Sequence, residues 1–93
     1  MLTLKFATYK LYYKGKEMTQ KAIIWSKYHC TYCDQAKAML NHKGIQFEEK
    51  KIGDGYTKEE LLEAVPNART VPQIFLDGIL IGGFTELKAH LNG

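Results

Sequence analysis

The chain has 93 residues, 45% of them hydrophobic and 25% charged, with a net charge of +3. That length holds one domain with a small core, and no apolar run approaches the roughly 18 residues of a membrane-spanning helix. The opening residues carry lysines but neither a continuous apolar stretch nor a small-residue cleavage site, so we expect a cytoplasmic protein with no membrane partner.

Residues 1–20 read as a basic extension and residues 21–93 as the folded domain. Five lysines (Lys5, Lys10, Lys14, Lys16 and Lys21) stand against Glu17 alone, while the remainder is close to neutral. Such an arm can touch nucleic acid or an acidic partner, but a solvated lysine-rich face explains it more simply, and no nucleic-acid partner is expected. Leu4, Phe6 and Tyr12 fall on one face of a strand, Tyr9, Leu11 and Tyr13 on the other, and Lys14-Gly15-Lys16 reads as a turn. The arm holds no residue that the chemistry below requires, so a chain starting at Met18 is expected to fold and keep its activity.

The domain proper has a regular rhythm. Lys21 to Ser26 (KAIIWS) is almost continuously apolar, as suits a buried central strand. A helix follows from about Thr31 to Asn41, with Cys33, Ala36 and Leu40 as its inner stripe and Met39 beside them. Gly44 sits where a left-handed C-cap residue is needed. Ile45 to Ile52 is a second strand, and Gly53-Asp54-Gly55 a loop. Thr57 and Glu60 form a capping box for a helix through about Val65, which Pro66 and Asn67 stop. Gln73–Leu76 and Ile79–Ile81 are apolar runs separated by Asp77-Gly78, a strong two-residue hairpin signal. Gly82-Gly83 leads into a last helix from about Thr85 to Leu91. The order β-α-β-α-β-β-α gives an α/β fold. A right-handed crossover makes a parallel pair and the hairpin adds antiparallel strands, so the sheet is four-stranded and mixed, flanked by three helices on both faces.

Cys30 and Cys33 are the two cysteines of the chain and form one Cys-x-x-C. The spacing fits thiol–disulfide chemistry, half of a zinc site, or core packing. Structural zinc wants four ligands, and His29, His42 and His90 offer no His-x-x-x-His partner set, so no metal site is expected. As a redox pair the roles divide. Cys30 stands at a helix start, where unpaired N–H groups, the helix dipole and Lys27 three residues earlier favour a thiolate. Cys33, one turn further and more buried, would resolve the mixed disulfide that Cys30 forms.

Three segments in order then carry a resemblance. Lys27-Tyr28-His29-Cys30-Thr31-Tyr32-Cys33 resembles the glutaredoxin active-site loop. Arg69-Thr70-Val71-Pro72-Gln73-Ile74-Phe75 is similar to the family's Thr-Val-Pro segment. Ile81-Gly82-Gly83-Phe84-Thr85-Glu86-Leu87 is similar to its Gly-Gly motif and final helix start. Together they span about residues 21 to 92. The resemblance implies a thioredoxin-like fold, a cis Val71–Pro72 peptide and a dithiol oxidoreductase. Such an enzyme reduces protein disulfides and glutathione mixed disulfides, with glutathione as reducing co-substrate. It implies that Lys27 meets the glycyl carboxylate of glutathione and that Tyr32 and Thr70 line the groove. Val71 would pair with the extended tripeptide while Pro72 packs by the sulfurs. Gly83, Phe84 and Thr85 would hold the γ-glutamyl carboxylate at a helix N-terminus. Disulfide-containing proteins, ribonucleotide reductase among them, become expected partners of a mainly monomeric protein.

Two positions depart from the pattern. Thr31 stands where many dithiol members have proline, and some members lacking it bind a [2Fe–2S] cluster between two subunits with glutathione as co-ligand. A cluster-binding protein is therefore the alternative. Glu59 stands near where members often place a neutral polar or basic residue that contacts glutathione.

Overall fold

A computed structural model describes residues 20–92 of the chain. The expected arm strand and turn, and the start at Met18, lie outside the described residues. The elements are β1 (Lys21–Lys27), α1 (Thr31–His42), β2 (Gln46–Ile52), α2 (Lys58–Ala64), β3 (Gln73–Leu76), β4 (Ile79–Gly82) and α3 (Phe84–Asn92). They form one four-stranded sheet in the order β2-β1-β3-β4. β1 runs parallel to β2 and antiparallel to β3, and β3 is antiparallel to β4. This is the mixed thioredoxin-like sheet that the sequence leads one to expect. No described helix is long and apolar enough to cross a membrane.

The centre of β1, Ala22 to Trp25, is apolar because both of its faces are covered. Ala22 and Ile24 pack with Ala36 and Leu40 of α1, Ile74 and Leu76 of β3 and Leu87 of α3. Trp25 points to the other face, where it meets Leu61 and Val65 together with the half-buried Ile23, Ile52 and Phe75. Alternation by two along β1 and β3 thus feeds two cores, one under α1 and α3 and one under α2. The same parity governs β2, where Phe47 joins the first core and Ile52 the second.

Local signals fix the ends of these elements. Gly44 adopts φ +73°, and its N–H donates to Asn41 O while that of Ile45 donates to Leu40 O. That pair of bonds satisfies the last carbonyls of α1, and Ile45 packs back into the first core with Leu40. Ile45 therefore closes the helix, and β2 begins one residue later than the apolar pattern suggests. Thr57 accepts the N–H of Glu60 and gives its own N–H to the Glu60 carboxylate, so the capping box is complete. Asp77 (φ +51°) and Gly78 (φ +84°) make the β3–β4 turn, both left-handed as a type I′ hairpin requires. The turn is also tied to the start of β1: Lys21 N–H donates to Asp77 Oδ1 at 3.0 Å and Asp77 N–H to Lys21 O at 2.9 Å.

Candidate active site

The end of β1 delivers the loop that carries the sulfurs. Its last inward residue, Ser26, is fully buried. His29 takes φ +56°, a tight left-handed turn that sets Cys30 as the N-cap of α1. Cys30 Sγ accepts the Cys33 N–H at 3.1 Å, the position at which a capping oxygen normally satisfies a first-turn amide. The two sulfurs are joined as a disulfide. Cys30 retains 9% of its surface and Cys33 only 1%, so Cys30 is the less buried of the pair.

Opposite the sulfurs stands the segment before β3. The Val71–Pro72 peptide is cis, Pro72 is buried, and Val71 O lies 3.9 Å from Cys30 Sγ. Two clefts meet there. One, of about 250 Å³, is lined by Lys27, Lys58, Arg69, Thr70 and Val71 over the apolar floor of Ile52, Leu61 and Ala68. The other, of about 320 Å³, is lined by Tyr32, Thr70, Val71, Pro72, Gly83, Phe84, Thr85 and Glu86. Thr70 and Val71 belong to both, so the two form one groove, and Val71 brings it beside Cys30 Sγ. Tyr32 and Phe84 stack across its second half, with ring centroids 6.0 Å apart.

All ten residues singled out from the sequence come together here: Cys30 and Cys33 at the centre, Lys27 at one end, Tyr32, Thr70, Val71 and Pro72 along the groove, and Gly83, Phe84 and Thr85 at the other end. Three lining residues were not anticipated. Lys58, not Glu59, turns into the first cleft, and Arg69 joins it. Glu86 lines the second cleft and accepts the Gly83 N–H at 2.9 Å. This carboxylate reaches back to the residue before α3 as the acidic half of a capping box does, and it gives that end of the groove a negative as well as a positive character.

The chain beneath the loop is fixed by charge. Glu49 of β2 accepts the Ser26 hydroxyl at 2.6 Å and Lys37 Nζ of α1 at 2.9 Å. Partial burial raises the Glu49 pKa, but the Ser26 hydroxyl, Lys37 and Lys51 together outweigh it and leave the carboxyl below its ordinary range. The bond to Glu49 raises the Lys37 ammonium, against the opposing effect of its own burial, with Asp34 adding to the rise. The network joins α1, β1 and β2 directly under the reactive turn.

Residues 22–81 match the model of the glutaredoxin family. The chain belongs to the glutaredoxin family. Glutaredoxin 3 of Escherichia coli (strain K12) is 42% identical over 66 residues, 71% of this chain and 80% of that protein. Glutaredoxin 1 of Francisella tularensis, solved with cacodylate, superposes with a TM-score of 0.68 at 34% identity, covering 80% of this chain and 94% of that one. A buckwheat glutaredoxin in complex with glutathione gives 0.66 at 25% identity, with 80% and 71% covered. The chain is thus a thiol–disulfide oxidoreductase of the glutaredoxin type, with a Cys30–Cys33 pair that fits the dithiol class.

Proposed function

We propose that this glutaredoxin draws its electrons from glutathione and spends them on protein disulfides and glutathione mixed disulfides. The observation that carries this reading is the groove past Cys30, cationic at one end and closed by the first turn of α3 at the other. Glutathione is an extended tripeptide with a carboxylate at each end and its thiol between. Lys27, Lys58 and Arg69 suit the glycyl carboxylate. The Phe84 and Thr85 N–H groups, with the Thr85 hydroxyl, suit the γ-glutamyl carboxylate. Glu86 suits the ammonium beside that second carboxylate. A buckwheat relative is solved in complex with glutathione, which supports glutathione as the ligand.

In this reading Cys30 is the nucleophile. The Cys33 N–H that reaches its sulfur favours the thiolate over the thiol, as does its place at the helix start. The thiolate attacks a target disulfide and one target sulfur leaves as a thiolate that takes a proton from water. Cys33 then attacks Cys30 Sγ, releasing the second target thiol and forming the Cys30–Cys33 disulfide. Two molecules of glutathione reduce that disulfide and depart as oxidised glutathione, which balances the two electrons. A reducing, cytoplasmic setting and ribonucleotide reductase as one acceptor belong to the same proposal. The test is a coupled assay with glutathione plus glutathione reductase against thioredoxin reductase as the electron source. Turnover is expected with the first and not the second, and the reverse would overturn the reading.

The [2Fe–2S] reading ranks second. Thr31 opens α1 on an exposed turn, but Cys30, the sulfur that a cluster shared between two copies would need, is joined to Cys33. One copy offers a single reactive sulfur, and the disulfide consumes it.

A further inference from the structure

Beyond the groove, one feature of the site has no part in the reading above. Tyr28, two residues before Cys30, is 51% exposed. Its ring is nonetheless held in place. Lys51 Nζ sits 4.6 Å from the ring centroid, and the Gly53 backbone lies beneath the ring edge, where a Cβ would come to 3.7 Å of Cε2. The register that pairs Lys51 with Ser26 places this ammonium at the rim of the reactive loop. Neither Tyr28 nor Lys51 lines either cleft. Among the described residues no carboxylate stands within 4.0 Å of Lys51. Glu49, whose field Lys51 shares, is engaged by Ser26 and Lys37.

We infer that the Tyr28–Lys51 rim is a docking subsite for the protein partner, selecting target segments that carry an acidic side chain beside the reacting cysteine. The inference rests on the proposed glutathione chemistry. When Cys30 attacks the glutathione sulfur of a glutathionylated protein, a Cys30–glutathione bond forms and the protein sulfur leaves with the electron pair. The leaving chain lies on the far side of the broken bond, outside the groove that holds glutathione. Its flanking residues cross the rim, and a rigid aromatic ring with an ammonium on its face offers them an apolar platform and a cation together. A carboxylate there gains the Lys51 charge, while a basic residue is repelled.

The experiment uses the full chain and glutathionylated peptides that differ only in the residues flanking cysteine: acidic, amide or basic. The small substrate hydroxyethyl disulfide is the control. For the unaltered protein the acidic peptide is expected to exceed the basic one in kcat/KM by about fivefold, and to lose that lead as salt is raised. Lys51→Gln should abolish the preference and Lys51→Glu reverse it, with hydroxyethyl disulfide turnover unchanged within about twofold. Tyr28→Phe should behave as the unaltered protein, and Tyr28→Leu should lose part of the preference. A preference that survives Lys51→Glu, or no preference at all, overturns the subsite. Failure of the glutathione reading would show separately, as loss of hydroxyethyl disulfide turnover in the unaltered protein.

Discussion

Replacing Glu49 with alanine should loosen the platform on which the reactive loop stands. The carboxylate accepts two hydrogen bonds, one from the fully buried Ser26 hydroxyl and one from Lys37. Without it the Ser26 hydroxyl is left buried and unpaired, at a cost of about 1–3 kcal/mol. Lys37 and Glu49 retain 22% and 26% of their side-chain surface, so the ammonium can turn to water or to Asp34, and the ion pair itself adds only about 0.5–1 kcal/mol. Together Glu49→Ala should lower the stability by about 1.5–4 kcal/mol in urea unfolding at pH 7. Glu49→Gln keeps an acceptor oxygen and should cost about half as much. The double variant Ser26→Ala/Glu49→Ala removes the orphaned hydroxyl and should recover about 1 kcal/mol over Glu49→Ala. The carboxyl pKa lies below its ordinary value of 4.5 in the folded protein. Its contribution is therefore full above that value and is lost as the pH falls through the lower native one. Lys37, raised from 10.5, contributes fully below that value and loses its share as the pH rises through the higher native one. A cost under about 0.5 kcal/mol for Glu49→Ala, or no recovery in the double variant, would refute the argument from the buried hydroxyl.

Cys30→Ser is expected to abolish all thiol transfer, whereas Cys33→Ser should keep the reduction of glutathione mixed disulfides; equal loss in both would show the roles misassigned. Thr85→Val should weaken the use of glutathione by about 1 kcal/mol, one exposed hydrogen bond to a charged group, read as a rise in KM. Lys58→Ala and Arg69→Ala should each raise that KM about threefold, the worth of an exposed charge, and unchanged kinetics would remove them from the groove. A chain beginning at Met18 is expected to keep its turnover and its melting temperature, and aggregation on truncation would make the arm an integral part of the sheet.

Most of the fold is legible in the sequence because each signal has a local cause. KAIIWS is apolar at every other position on both faces, and β1 has a core on each side. Asp77-Gly78 announces its turn by residue type, and Thr57 with Glu60 announces α2. The redox pair and the groove segments are equally local. What the sequence conceals depends on pairing. Nothing in Gln46–Ile52 marks Glu49 as the partner of Ser26 and Lys37, because the parallel register that brings them together is set by strands far apart in the chain. Lys58 was legible in principle. Leu61 and Val65 define the inner stripe of α2, and Lys58 lies three residues before Leu61 on the same side, whereas Glu59 is turned away by about 100°. Glu86 gave a similar signal, three residues after Gly83, the spacing of a side chain that caps its own helix.

The burial of β1 on both faces also orders the molecule in time. Amides of Ala22 to Trp25 are paired to β2 on one side and β3 on the other, so their hydrogens can exchange with deuterium only when the whole domain opens. α2 is held by Leu61 and Val65, and β4 keeps Ile79 and Leu80 exposed at the sheet edge; both can open locally and should exchange sooner. The reactive turn is attached directly to the slowest-exchanging strand. Cys30 is therefore carried by the part of the chain expected to open last, while the wall of the cationic cleft, built on α2, belongs to a part expected to open locally.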